Sequence, residues 1–237
     1  MIKKINAILC ILFILIFGCA SDDNLPLETQ EEEEQTEETK IFSFLALGDS
    51  YTIGQGVPED ESWPFQLKSA FATPTKKTEK LTVIAKTGWT TRNLITAIEE
   101  NSPQNHDLVS LLIGVNNQFQ QRNFTEFQSE FNILLEKAIS LANNKKDNVI
   151  VVSIPDYGVT PFGTSNSETI ASEIDAYNAY IERKCIEAEI VFIDVTTISR
   201  DLGDSEGSLA TDNLHPSGYQ YSLWVEKILP AVREVLK

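Results

Sequence analysis

The chain has 237 residues, 42% of them hydrophobic, and a formal net charge of -16. That length suits one sizeable core with an appendage. The acidic balance excludes a nucleic-acid-binding role, which needs basic surface, and gives no electrostatic attraction to anionic lipid.

"MIKK" supplies a positive end, and "INAILCILFILIFG" is an apolar stretch short of a transmembrane span. The pair is expected to be a signal peptide, residues 1–18. Ile16, Phe17, Gly18 and Cys19 resemble a bacterial lipobox, with Phe17 bulkier than the usual residue there. The resemblance implies cleavage before Cys19 and lipidation of that residue; an ordinary signal peptide with an incidental cysteine is the alternative. Cys10 leaves with the signal and Cys19 carries lipid, so Cys185 stands alone and no intramolecular disulfide forms in the mature chain. Cys185 is expected to be a small core residue.

Residues 22–40 hold nine acids against one lysine. Such a stretch cannot bury enough apolar surface to offset its ordering entropy. Residues 19–40 therefore read as a solvated tether. Acids just after the lipidated cysteine also resemble a surface-export signal, although charge runs are commonly plain spacers. The expected location is the bacterial cell envelope, outside the cytoplasm, on a lipid anchor.

From residue 41 to 237 the pattern alternates. "IFSFLAL" reads as a first strand, "WPFQLKSAF" as a helix with Phe65, Leu67 and Phe71 facing a core, "KLTVIA" as a second strand and "TTRNLITAIEE" as a second helix. "DLVSLLIG" is nearly all apolar, as befits a strand covered on both faces. "TEFQSEFNILLEKAISLA" spaces Phe127, Phe131, Leu134, Leu135, Ala138 and Leu141 at helical intervals. "NVIVVSIP" is a fourth strand, "SETIASEIDAYNAYIERKC" a helix and "EIVFIDV" a fifth strand. A last helix passes Trp224 and Ile228, with Pro230 expected to break or kink it. Five strands separated by helices predict an α/β fold, a parallel sheet covered on both faces with right-handed crossovers. Ligands in such sheets bind beyond the carboxyl ends of the strands.

The strand ends carry the polar residues. "LGDSYTIGQG" puts Ser50 after the first strand, either as a nucleophile or as a turn residue. "AKTGWTT" puts Gly88 ahead of a helix, where backbone N–H groups favour an oxyanion. "IGVNNQ" offers the amide of Asn116, and "ATDNLHPSGY" holds Asp212 and His215, with Pro216 suited to a first helical position. Of two histidines, His106 precedes the third strand and belongs at the opposite edge as a surface or capping residue. His215 is then the one candidate base at the site. Trp63, Trp89 and Trp224 are expected in core or pocket wall. No metal or other cofactor is expected: two histidines and one free cysteine cannot build a His- or Cys-rich site.

"GDSYTIG", "TGWT", "GVNN" and "DNLHP", in that order, resemble the blocks of the GDSL or SGNH hydrolase superfamily of esterases and lipases, over roughly Phe42 to Val235. The resemblance implies a flavodoxin-like three-layer α/β/α sandwich around a five-stranded parallel sheet. It implies Ser50 as nucleophile, His215 and Asp212 as its triad partners, and an oxyanion hole of the Ser50 N–H, Gly88 and Asn116. The third block usually ends in aspartate, and here it ends in Asn117, which keeps the shape and loses the charge. The expected function is a serine esterase for small or carbohydrate-linked acyl esters. A lysophospholipase or thioesterase, and a non-catalytic glycan- or lipid-binding lipoprotein, are the alternatives. "PDYGVTPFGTSNS" is expected in the pocket wall through Tyr157 and Phe162. The loops "GQGVPEDES" and "GVTPFGTSNSE", polar and acidic, suggest a site with few apolar anchors that prefers short acyl groups.

Overall fold

The computed structural model describes residues 39–237. The expected signal peptide, Cys19 and most of the acidic tether lie outside the described residues.

Five strands form one parallel sheet: β1 (Lys40–Gly48), β2 (Lys76–Ala85), β3 (Leu108–Leu112), β4 (Val149–Val152) and β5 (Val191–Ile193). Their order is β2-β1-β3-β4-β5. All four neighbouring pairs are parallel, with Leu47 opposite both Ile84 and Leu111. The chain moves one way from β1 to β2, then returns past β1 to β3. The strand order therefore reverses between β1 and β3, and a crevice opens at their carboxyl ends.

The central strands are buried because they carry almost nothing polar. Every residue of β3 and β4 is buried, and Leu45, Leu47, Leu108 and Leu111 are among the largest side chains sealed from solvent. Each such leucine stabilises the fold by about 1.5–3 kcal/mol.

The helices are α1 (Ser50–Ile53), α2 (Trp63–Phe71), α3 (Thr91–Asn101), α4 (Val115–Phe119), α5 (Phe124–Leu141), α6 (Ser167–Ala188), α7 (Thr196–Leu202) and α8 (Gly218–Val235). α2 packs on α8, which also touches α7, while α3 packs on α5 and α5 on α6. These two groups are the outer layers of the three-layer sandwich. Local caps set several helix starts. Thr90 and Asn93 form a reciprocal capping box on α3, Asn123 accepts from Thr125 N at 2.8 Å on α5, and Ser217 accepts from Gln220 N on α8.

Several expectations need correction. α1, α4 and α7 are short helices that the sequence pattern leaves unassigned. β5 has three residues rather than seven, because Asp194 turns away to accept from Thr196 N. Pro230 lies inside α8, which continues to Val235; Pro230 and Glu226 are both exposed, so water can reach the carbonyl that the proline leaves unpaired. Pro216 precedes the Ser217 cap instead of opening the helix. Phe65 is half-buried, whereas Leu67 and Phe71 are core. His106 does lie ahead of β3, but it is buried: its Nδ1 is 2.7 Å from Gln104 O and its Nε2 3.1 Å from Thr82 Oγ1. Burial pushes its pKa down. Trp63 and Trp224 are fully buried, Trp89 packs against the core edge, and Cys185 is sealed inside α6, where burial pushes its thiol up to about 12.

Candidate active site

β1 ends in a tight hook. A Cβ on Gly48 would fall 2.0 Å from Thr52 Oγ1 and 2.6 Å from Leu112 O, so only glycine lets the chain turn there. Asp49 caps α1 by accepting from Tyr51 N at 3.1 Å. Ser50 is then the first helical residue, with a backbone N–H that has no partner within the helix. The hook sits at the reversal of strand order, and Ser50 lines the cavity there.

That cavity measures about 220 Å³ and is lined by Ser50, Gly88, Asn116 and His215 together with Tyr157 and Phe162. Four residues expected at the site from four separate chain segments thus meet in one space. Asp212 reaches it through His215. His215 Nδ1 lies 2.7 Å from Asp212 Oδ2. The other oxygen, Asp212 Oδ1, accepts from Leu214 N and His215 N, both at 3.0 Å. Burial works against the Asp212 charge, but those backbone and ring donors hold its carboxyl below the usual range.

A small closed loop carries this pair. Leu209 pairs with Pro216, Ala210 N donates to His215 O, and Asn213 N donates to Ala210 O. Asn213 takes the left-handed φ of 56° that the turn needs. Two further residues hold the loop in place, and neither was singled out in the sequence. The Tyr51 ring packs on the His215 ring with centroids 5.5 Å apart. Gly56, at φ 89°, comes so near that a Cβ would lie 2.8 Å from Ala210 Cβ and 3.3 Å from Asp212 Oδ2. The two glycines of "IGQG" hinted at a turn, but not at what it touches.

The opposite wall belongs to α4 and the segment before α3. Gly88 adopts φ 81° with open space where a side chain would be, so backbone conformation, not crowding, requires glycine. Asn116 Nδ2 donates to Trp89 O at 3.0 Å, which leaves the second amide hydrogen free for a ligand. Gln120 Nε2 donates to Gly88 O at 3.0 Å. Asn117 does not line the cavity. It faces inward and exchanges two hydrogen bonds with Thr91.

The mouth is aromatic, contrary to the expectation of few apolar anchors. Phe119, Tyr157 and Phe162 lie within 5.9–6.3 Å of one another, centroid to centroid. Phe119 and Phe162 are each about half exposed, while Tyr157 is fixed through its hydroxyl, which donates to Gln118 Oε1 at 2.9 Å. Phe119 was hidden in a segment that reads as polar. Among the described residues no group of His, Cys, Asp or Glu is placed to hold a metal.

The sheet order, the hook and the cavity define a flavodoxin-like α/β protein with a cleft at the strand reversal. The chain belongs to the GDSL-like Lipase/Acylhydrolase family, whose model matches residues 46–223. It is 22% identical to the uncharacterized protein YpmR of Bacillus subtilis, over 98% of this chain and 96% of that protein. The fold is shared with a lipolytic G-D-S-L family protein from Veillonella parvula (TM-score 0.62, 21% identity, 81% of this chain and 97% of that one). It is also shared with Axe2, an acetylxylan esterase from Geobacillus stearothermophilus (TM-score 0.60, 17% identity, 83% of this chain and 95% of that one).

Proposed function

We propose that this GDSL-family hydrolase is a serine esterase that cleaves short acyl esters, acetyl-type esters on carbohydrate among them. The meeting of Ser50, Gly88 and Asn116 with an Asp212-bound His215 in one cavity carries the proposal. Ser50 Oγ attacks the ester carbonyl carbon while His215 Nε2 takes the hydroxyl proton. The Ser50 and Gly88 N–H groups and the free Asn116 amide hydrogen receive the oxyanion, each such donor being worth about 2.7–4 kcal/mol of barrier. His215 returns the proton to the departing alkoxide, and an acyl-Ser50 remains. Water then repeats the sequence: His215 takes its proton, the carboxylic acid leaves and Ser50 is regenerated. Asp212 keeps the His215 proton on Nδ1, so that Nε2 faces Ser50 as a base.

The size of the cavity supports a short acyl group. A cavity of about 150 Å³ holds benzene, so the 220 Å³ here suits an acyl group of a few carbons. The exposed faces of Phe119 and Phe162 fit the flat apolar face of a sugar on the alcohol side. The same aromatic mouth favours the runner-up, a lysophospholipase, because it can also hold a chain running out of the cavity. kcat/KM over p-nitrophenyl esters from acetate to palmitate, with acetylated xylan and lysophosphatidylcholine alongside, decides between them. Turnover of none of these esters, or no fluorophosphonate label on Ser50, refutes the esterase. A steady rise toward palmitate replaces it with the lysophospholipase.

The enzyme is further proposed to work in the bacterial cell envelope, outside the cytoplasm. Lipid on Cys19 holds it there, and the acidic stretch through Lys40 spaces it from the membrane. The lipobox-like "IFGC" supports this reading.

A further inference from the structure

Glu130 is a carboxylate on α5 that is only 2% exposed, and the proposed chemistry does not use it. Ionised beside Arg92, it can only accept, and that fixes the direction of the hydrogen bonds around it. Thr91 N can only donate, so the Asn117 atom 3.0 Å away must be Oδ1. The other Asn117 atom is therefore Nδ2, and it donates to Thr91 Oγ1 at 2.7 Å. The Thr91 hydroxyl has one proton, and the carboxylate takes it: Oγ1 makes a short contact with Glu130 Oε2. Arg92 Nε lies 2.8 Å from Glu130 Oε1, close enough to pair the charge though not aligned as a hydrogen bond.

This chain ends under the proposed oxyanion hole. Thr91 directly follows the Gly88–Thr90 segment, and Asn117 adjoins Asn116 on α4. The links from Asn116 to Trp89 O and from Gln120 to Gly88 O tie the same two pieces near the surface. The Asn117–Thr91–Glu130 link is the buried one.

We propose that Glu130 is a positioning residue: through Thr91 and Asn117 its carboxylate locks α4 to the Gly88–Thr91 segment. It thereby makes asparagine the residue that position 117 requires. A carboxylate at 117 would claim the Thr91 proton for itself and leave two acceptors, both charged, facing one hydroxyl. The conflict disappears if Glu130 becomes an amide, because the amide donates to Thr91 Oγ1 and the whole chain reverses. The family's usual aspartate and this chain's asparagine are then alternative directions of one proton chain.

The oxyanion role of the segment rests on the esterase reading, so the test has two readouts. Asn117→Asp is expected to lower kcat on p-nitrophenyl acetate by about 10- to 100-fold with little change in KM, as loss of oxyanion alignment does. It should also speed amide hydrogen exchange across Gly88–Thr91 by about tenfold. Adding Glu130→Gln should bring both quantities back to within about threefold of the unmodified protein, a coupling that independent sites do not show. Thr91→Ser should keep both, and Thr91→Val should lose both, which covers the case in which Asn117→Asp alone does not fold. A double variant no better than Asn117→Asp, or Thr91→Val equal to Thr91→Ser, overturns the proposal. Absence of any ester turnover in the unmodified protein refutes the esterase instead, and the exchange pattern still decides the chain.

Discussion

The Asp212 carboxylate is gripped on both oxygens: Oδ1 accepts two backbone N–H groups and Oδ2 meets His215 Nδ1 at 2.7 Å. This grip makes the effect of substitution at Asp212 depend on which atoms replace the two oxygens. In Asp212→Asn the backbone donors demand the amide oxygen, so the NH₂ group must face Nδ1. The imidazole is then forced to carry its proton on Nε2 and cannot serve Ser50 as a base. Asp212→Asn is therefore expected to lose about 10⁴-fold in kcat and to be no better than Asp212→Ala, which leaves the ring free to choose its tautomer. His215→Ala should cost about 10⁶-fold. Steady-state kinetics on p-nitrophenyl acetate checks the order, and an Asp212→Asn variant far more active than Asp212→Ala contradicts it.

Gly56 and Gly207 offer a matched pair. Both have positive φ, 89° and 79°, but only Gly56 approaches Asp212, while Gly207 faces open space. Alanine at either position should cost about 1–3 kcal/mol of stability through backbone strain. Only Gly56→Ala should also lower kcat, by displacing the loop that carries Asp212 and His215. Equal activity in the two variants would separate Gly56 from the site.

Asp49 is fully buried and its Oδ2 has no hydrogen-bond partner. Burial raises its carboxyl from 3.8 to about 7, against the pull of the Tyr51 N–H. Below the unfolded value both states hold the proton. Between about pH 4 and about pH 7 the unfolded chain releases it and the folded one keeps it, so stability falls as pH rises through this window and is level above it. Asp49→Asn keeps an acceptor for Tyr51 N and removes the charge. Urea unfolding from pH 4 to 8 should show the variant gaining on the unmodified protein as pH rises, by a few kcal/mol in order of magnitude. A constant difference across the range would rule out the raised carboxyl.

Phe162 lines the cavity and stands about half exposed at its mouth. The acyl preference is expected to peak at short chains and decline well before palmitate. Phe162→Ala should leave acetate turnover nearly unchanged and weaken chains that reach the mouth, by about 0.8 kcal/mol for each methylene no longer covered. An equal loss on acetate would place Phe162 at the reacting centre instead.

Cys19→Ser is expected to move the protein from the membrane fraction to the soluble fraction of fractionated cells. One acyl chain binds a membrane only marginally, so stable retention of the unmodified protein would also imply more than one chain. Continued sedimentation of the variant with membranes would defeat the lipid anchor.

Much of this was legible in the sequence for physical reasons. β3 and β4 announce themselves because a strand covered on both faces carries almost no polar residue. α5 is visible because five buried positions, with the partly buried Leu141, recur at helical spacing. Ser50, Gly88 and Asn116 could be gathered at one cavity because a parallel sheet puts the ends of its strands along one edge; His215 joins them from the loop after α7 rather than from the end of β5. What escaped was whatever depends on contact between distant segments. Thr91 and Glu130 look like ordinary helix residues until α3 and α5 are packed together. Phe119 lies among glutamines and asparagines, and its partners come from residues 157 and 162. His106 has a neighbourhood that no local pattern encodes, and it turned out buried. The helical run through Pro230 depends on exposure, which periodicity near a chain end does not fix.

The loop from Leu209 to Pro216 brings Asp212 and His215 together through contacts spanning only a few residues. This half of the site can form early, as a local turn. Ser50 comes from a distant segment, just ahead of α2, and α8, which follows the loop, packs on α2. Ester turnover should therefore be among the last properties regained on refolding, later than sheet or helix signals. It would serve as a reporter of final docking, and an intermediate with native secondary structure but an open seam between α2 and α8 would remain silent in the assay.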